Sequence, residues 1–369
     1  MAARTATRAT RESAGPQPRP RVRDFSAPQS RFELSFDKRT AFDFVVSLSV
    51  AAGDEADLLP EDAAWLKHKL DEMPAAVRAE IVACCGESSL AVLRALPSLI
   101  IGRPEITDAN SLVTTINAMG EKEVATLLVT DLLSAIGSEA LVARVVAGDE
   151  DAISQVDHQY SDLKGEDMSG LLQDLDTQVR RSRGVLEAWL PAYRELEPRI
   201  GQMIERDVAT RQRQARSSDM FDLIEKATGG VRWLPDAGVR RVIMSPTYFG
   251  RPYNYIYQGA GWRLFCYPLA EEMLGPEDSS VPSQQIVRLY RALGDATRLR
   301  VLHLLAGGDL YLTELAQRLE LSKPTMKHHL ALLRAAGLVT VTEEGGLTYY
   351  SLRRDRLAEA GVELQRFVG

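Results

Sequence analysis

Residues 314–333 constrain this chain more than any other stretch. Leu315, Ala316 and Leu319 form an apolar stripe on a first helix, and Met326, Leu330 and Leu333 recur at i, i+4 and i+7 on a second. Ala316 is small where two helices would cross closely. Between the stripes, Ser322 is a natural N-cap, and Pro324 falls in a first turn, where its missing N–H costs nothing. The spacing predicts two helices joined by a tight turn. The second has a buried face and a separate polar face carrying Lys323, Thr325, Lys327 and His328. A helix built in this way can lie in a DNA major groove.

The chain has 369 residues, 45% hydrophobic and 26% charged, an ordinary globular composition whose length predicts two or three domains. No apolar run approaches the roughly 18 residues of a membrane helix, so no membrane association is expected. The three cysteines, Cys84, Cys85 and Cys266, have no zinc spacing, and adjacent cysteines rarely bridge each other. A reducing cytoplasm is the expected location. Cys84-Cys85 reads either as a redox pair or as buried, inert thiols.

The net charge of −7 is unevenly distributed. Residues 1–31 hold 7 arginines against Glu12 and Asp24, and residues 281–369 hold 12 Lys/Arg against 9 Asp/Glu, which leaves the middle at −15. An acidic body joined to a basic end suits a DNA-binding domain carried by a larger domain. Residues 1–31 read as a disordered basic tail, a composition that organellar transit peptides share.

After the tail, Phe32, Leu34 and Phe36 alternate with Glu33 and Ser35, which predicts a short strand. Helical periodicity then dominates at 41–52, 60–73, 75–85, 88–96 (stopped by Pro97), 108–119 and 120–136. In a long amphipathic segment, 184–216, Leu186, Trp189, Leu190, Tyr193, Leu196, Ile200 and Ile204 recur at helical spacing; Pro191 and Pro198 are expected to kink or break it. Its polar end, 206–216, reads as a solvated helix end, or as a nucleic-acid or dimer contact. Beyond Gly229-Gly230, β-branched and aromatic runs predict a small antiparallel β-meander at about 239–268. Residues 275–282 read as a linker.

The remainder, 283–369, is a second domain. Helices are expected at 283–293 and 296–306, the latter capped by Asp295 with Leu299, Leu302 and Leu305 inward, and Thr313 is a plausible cap for the first helix of the pair. Two short strands, 339–342 and 347–352, flank the hairpin tip Glu343-Glu344-Gly345-Gly346, and a last helix runs to about Val368. The expected fold class is mainly α: a helical N-terminal domain (32–274) with a small antiparallel β-meander, followed by a C-terminal winged helix-turn-helix.

Ala292-Leu293-Gly294-Asp295-Ala296-Thr297-Arg298-Leu299, Ser322 through Leu330, Leu333-Arg334-Ala335-Ala336-Gly337-Leu338-Val339 and Tyr349-Tyr350-Ser351-Leu352 resemble the ArsR-type family of bacterial transcriptional regulators. Several motifs in the right order, over roughly a quarter of the chain, carry the resemblance. It implies a DNA-binding transcriptional regulator, more often a repressor than an activator. It also implies a homodimer paired through the first and last helices of the domain, with Ile286, Leu289, Leu293, Leu357 and Val362 as interface candidates. Double-stranded DNA would meet Lys323, Thr325, Lys327, His328 and His329, with the wing and the adjoining Arg353 and Arg354 near the minor groove or backbone. Lys323 and Lys327 suit phosphate, and Thr325 and His328 suit base edges; His329 reads either as a contact or as a brace. Two departures stand out. Tyr311 and Thr313 occupy the positions of the family's paired metal-binding cysteines and are poor soft-metal ligands. The acidic hairpin tip, Glu343 and Glu344, would repel phosphate.

The front part therefore calls for a job of its own. An extension of this kind resembles those of some ArsR-type regulators, and a sensor or dimerisation domain for a small-molecule effector is expected. Tyr253, Tyr255, Tyr257, Trp262 and Tyr267 could line a ligand pocket, or simply cover a sheet face as core. No dinucleotide, P-loop, nucleophile-elbow or zinc-protease motif is present, so no catalytic residue, cofactor or metal is assigned. The alternative is an enzyme or metabolite-binding protein whose winged domain mediates protein contacts.

Overall fold

Helix α1 (Thr40–Ala51) is the axis of the front part: all its residues are buried, as a helix apolar on nearly every side must be. The computed structural model describes residues 32–53, 58–86, 91–133, 138–164, 172–234, 238–274, 282–344 and 347–369. The expected 1–31 tail and nearly all of the 275–282 linker lie outside them. Around α1 pack α3 (Ala75–Cys85), α4 (Ala91–Gly102), α5 (Ala109–Ala118) and the long α9 (Leu175–Gln214). Helices α2 (Pro60–Glu72), α6 (Glu121–Leu132), α7 (Glu139–Val146) and α8 (Glu150–Lys164) complete this layer. No helix among the described residues is long and apolar enough to cross a membrane.

Expected breaks at three prolines are overridden by packing. Helix α9 continues through Pro191 and Pro198, and α4 through Pro97. Pro191 and Pro198 lie on the exposed side of α9, two turns apart. The carbonyls that each proline leaves without an intrahelical partner, those of Glu187 and Arg194, belong to exposed residues and can bond water. The opposite side of α9 buries Val185, Leu186, Trp189, Tyr193, Ile200 and Ile204.

Two buried polar side chains of α1, Ser47 and Asp43, find partners inside the protein. Ser47 Oγ donates to the Phe44 carbonyl at 2.7 Å and accepts from Trp189 Nε1 at 2.8 Å. Asp43 Oδ1 accepts the backbone N–H groups of Tyr248 (2.6 Å) and Phe249 (3.0 Å), and Oδ2 accepts the Tyr193 hydroxyl at 3.0 Å. Burial pushes the Asp43 carboxyl up to about 7, against the lowering pull of the Phe249 N–H, Tyr193 and Arg251. One carboxylate thus ties the central helix to the segment that leaves the sheet.

That sheet corrects the expected meander. Strands β1 (Glu33–Phe36), β3 (Arg241–Thr247), β5 (Trp262–Pro268) and β4 (Tyr255–Gly259) lie side by side in this order. Only β4 and β5 are antiparallel; β1–β3 and β3–β5 are parallel. Residues 248–254, held at their start by Asp43, carry the chain past β5 instead of turning it back as a hairpin. Alternation then divides the side chains. Ile243, Leu264 and Cys266 face the helices. Val242, Met244, Phe265 and Tyr267 face the other way, covered by Ile224 and Ala227 of α10 (Met220–Ala227) and by Val231 and Trp233 of β2 (Val231–Trp233).

The C-terminal part has its own core. It contains α11 (Gln284–Leu293), α12 (Ala296–Leu305), α13 (Leu312–Arg318), α14 (Lys323–Ala335), the hairpin β7 (Val339–Glu344) and β8 (Leu347–Leu352), and α15 (Arg354–Val368). Its sheet runs β2-β7-β8-β6, where β6 is Leu310–Tyr311, so one strand comes from the front part. Leu302 and Leu305 are buried as expected, but Leu299 is 49% exposed. The cap of α13 is Tyr311, not Thr313, and the Tyr311 N–H donates to Glu314 Oε2 at 2.9 Å. In the turn after α13, Glu320 adopts φ 57°, and the Leu321 N–H closes on the Ala316 carbonyl at 2.9 Å. This is the left-handed helix stop that glycine usually fills.

Urea denaturation tests both features. Asp43→Ala strands two buried N–H groups and is expected to cost roughly 2–4 kcal/mol. Asp43→Asn keeps an acceptor and should cost far less. The raised carboxyl makes the native state bind the extra proton, so its contribution is complete below pH 4 and is lost as pH rises through about 7; Asp43→Asn should flatten stability over that window. Glu320→Gly removes a left-handed strain of about 1 kcal/mol and should raise the urea midpoint.

Candidate nucleic-acid interface

The helix pair forms as its residues dictate. Ser322 Oγ accepts the Thr325 N–H at 3.2 Å, and Pro324 sits in the first turn of α14. Met326, Leu330 and Leu333 are buried in one cluster with Leu315, Ala316 and Leu319 of the first helix. Gly337 ends α14 at φ 70°, with the Leu338 N–H on the Leu333 carbonyl at 2.9 Å. A side chain at that φ would be strained.

This arrangement leaves Lys323, Thr325, Lys327 and His328 together on the exposed side of α14. Two ammonium groups and the N-terminal end of a helix dipole favour phosphate there. The Thr325 hydroxyl lies 2.8 Å from Ser322 Oγ, at the tip of the helix. His329 differs from the other four: it is partly buried, with Nδ1 3.8 Å from Asp295 Oδ1. That distance is too long for a hydrogen bond. Burial lowers the His329 pKa, with the nearby Asp295 carboxylate opposing.

The arginines beside the wing are partly occupied. Arg353 Nη2 donates to Asp355 at 3.3 Å, while Arg354 Nη2 donates to the Ala306 carbonyl at 2.6 Å, at the end of α12. Arg356 is buried and paired with Glu363 and Glu359. The side chains of Glu343 and Glu344 and the tip residues Gly345 and Gly346 lie outside the described residues, so the expected repulsion of phosphate there has no structural counterpart. Tyr311 packs against Tyr349 with ring centroids 4.1 Å apart and the rings tilted by 38°, and their hydroxyls are hydrogen-bonded. Thr313 is exposed. Among the described residues, no group of three or more His, Cys, Asp or Glu side chains could hold a metal ion.

The expected dimer residues separate into two sets. Leu289 is fully buried in the domain's own core, and Leu293 packs against that core. Leu357 and Val362 are exposed, as are Tyr290 on α11, Leu299 on α12, and Leu364 and Val368 on α15. Ile286 is half-buried. The Tyr290 hydroxyl donates to the Ala360 carbonyl at 3.0 Å and fixes α11 to α15.

The aromatic residues of the front part do not line one pocket. Tyr255, Tyr257 and Trp262 pack against the helical core. Tyr267 lies on the opposite sheet face, buried, with its hydroxyl on Asp207 at 2.6 Å. Tyr253 precedes β4, and its N–H donates to the Gly250 carbonyl at 2.7 Å. Cys84, Cys85 and Cys266 are buried, and desolvation pushes all three thiols up, away from reactive thiolate. The feature that sequence reasoning missed is the join between β2 and β7; its one local signal is Gly229-Gly230.

Comparison with known proteins bears on the same region. The sequence profile of the bacterial regulatory proteins of the arsR family matches residues 295–341. The transcriptional repressor SdpR of Bacillus subtilis is 35% identical over 72 residues, 20% of this chain and 80% of its own length. The HTH-type transcriptional regulator CmtR of Mycobacterium tuberculosis is 42% identical over 83 residues, 22% of this chain and 70% of its own. The transcriptional activator HlyU of Vibrio cholerae is 39% identical over 70 residues, 19% of this chain and 65% of its own. The profile match runs from the cap of α12 through the helix pair and into the wing. With that match, and with identity extending over most of a known member's length, the chain belongs to the arsR family of bacterial regulatory proteins.

Proposed function

We propose that the protein is a sequence-specific DNA-binding transcriptional regulator, acting in the cytoplasm as a homodimer on double-stranded DNA and repressing in most contexts. A non-metal effector or partner controls it through the front part. The observation that carries the reading is α14: one face locked into the core by Met326, Leu330 and Leu333, the other presenting Lys323, Thr325, Lys327 and His328 to solvent. The large apolar side chains that α15 leaves exposed, Leu357, Val362, Leu364 and Val368, support self-association through this helix. The tyrosine pair at Tyr311 and Tyr349 supports a non-metal signal, because phenols hydrogen-bonded to each other are poor ligands for soft metals. Both directions of regulation occur among relatives, SdpR being a repressor and HlyU an activator.

The test titrates the full chain with the DNA upstream of its own gene and with unrelated DNA at two salt concentrations. Specific DNA should bind roughly a thousandfold tighter, with affinity falling steeply as salt rises. Equal binding to every fragment refutes the regulator reading. Lys327→Ala should weaken all DNA and reduce the salt slope; Thr325→Ala and His328→Ala should relax sequence preference by about 1–3 kcal/mol. For self-association, Leu357→Glu with Val362→Glu places two charges on the exposed sides of α15. Sedimentation should then register monomer where the parent chain is a dimer, and DNA affinity should fall with it.

A further inference from the structure

Strand β2 belongs to two structures. The side chains of Val231 and Trp233 are buried on the outer face of the front sheet, where Trp233 meets Phe32 (ring centroids 5.3 Å apart) and Phe265 (5.9 Å). Its backbone edge pairs in parallel with β7 of the wing, with Val231 beside Val341, Arg232 beside Thr342 and Trp233 beside Glu343. The Val341 N–H donates to the Gly230 carbonyl at 3.0 Å. Gly230 makes this approach possible. It adopts φ 119°, and a Cβ there would lie 3.3 Å from both the Val339 carbonyl oxygen and Thr340 Cγ2. Strand β7 is therefore flanked by β8 on one side and by the front part on the other.

A continuous set of contacts leads from the buried centre of the front part to this join. Asp43 holds the N–H groups of Tyr248 and Phe249 at the start of the β3–β4 connection. At the end of that connection, Asn254 Nδ2 donates to the Thr228 carbonyl at 2.8 Å. Thr228 Oγ1 accepts the Val231 N–H at 3.0 Å, and Gly230 then meets the wing. A second join sits elsewhere: Glu271 pairs with Arg288 of α11 and accepts the Gln285 N–H at 3.3 Å. The two joins hold different ends of the winged domain.

We infer that the front part sets DNA affinity by strand addition to the wing: β2 bound on β7 and β2 released from it are two states with different affinities for DNA. The inference rests on the regulator reading above. A short ladder is either formed or broken, so it supplies the discrete element that coupling between distant sites requires. Main-chain pairing at a sheet edge gives such an attachment its strength. An effector that favours one position of α10 and β2 shifts DNA binding by its difference in affinity for the two states.

The test compares the full-length chain with Arg232→Pro, which removes a ladder N–H, and with Arg232→Ala, which loses only the side-chain pair to Glu225. Hydrogen exchange is followed in peptides covering residues 339–344 and 323–335, alongside DNA titration. In the parent chain, 339–344 should be protected. Arg232→Pro should speed its exchange at least about tenfold, leave α14 protected, and change the DNA dissociation constant at least about tenfold; Arg232→Ala should do neither. If α14 also loses protection, Gly230→Val, which crowds the same join, replaces the proline variant with the same expectations. Released β7 with unchanged affinity overturns the relay. Free exchange of 339–344 in the parent chain overturns the join itself. Absence of specific DNA binding by the parent chain, with 339–344 protected, overturns the regulator reading and the relay but leaves the join standing.

Discussion

The carboxylate of Asp43 is the interaction on which the layout of the front part depends. It lies on a helix with no exposed side, so nothing outside the protein can solvate it. Its partners are local, two backbone N–H groups and a phenol, and they offset only part of the desolvation that holds the carboxyl up at about 7. A buried polar group without such partners would cost several kcal/mol. Those same N–H groups begin the connection that lets β5 lie parallel to β3, so the carboxylate fixes the path of the chain out of the sheet. The outer sheet face, and the α10–β2 layer upon it, inherit their position from that path.

The winged domain follows a different economy. Its helix pair is held by contacts between residues near one another in the chain, capped at Ser322 and stopped at Glu320 and Gly337. Nothing in that pair needs the front part. The wing sheet does use it, because its outer edge is completed by β2. An edge strand left open carries unpaired N–H and C=O groups that invite pairing with other chains. Here the pairing partner is internal, and the element that shields the wing also joins it to a sensor-sized domain.

Charge is arranged to match this division. The acidic excess of −15 lies in residues 32–280, while the exposed face of α14 carries two lysines and no acid. Many acidic side chains of the front part are engaged in ion pairs, such as Asp62 with Arg199 and Glu80 with Arg181. Its field therefore adds no attraction for DNA, and steering towards phosphate falls to the small basic domain.

The sequence by itself determined the elements whose signals are local. Ser322, Pro324 and the i, i+4, i+7 stripe placed α14 and its exposed face; Asp295 placed the start of α12, and the pattern of 339–352 placed the wing. Helix α1 was legible for the same reason, eight of its twelve residues being apolar. Tertiary structure alone decided the rest. Pro97, Pro191 and Pro198 read as breaks, yet burial of the opposite faces carried α4 and α9 through them. Strand direction in the front sheet depended on a carboxylate far away in the chain, and Leu299 lost its expected place in the core because helix periodicity does not say how wide the buried face will be. Strand β2 is three residues long, too short to show a period, and its partner lies in the other domain. Local propensity cannot encode such a pairing; only the packed outer face of the front sheet brings β2 within reach of β7.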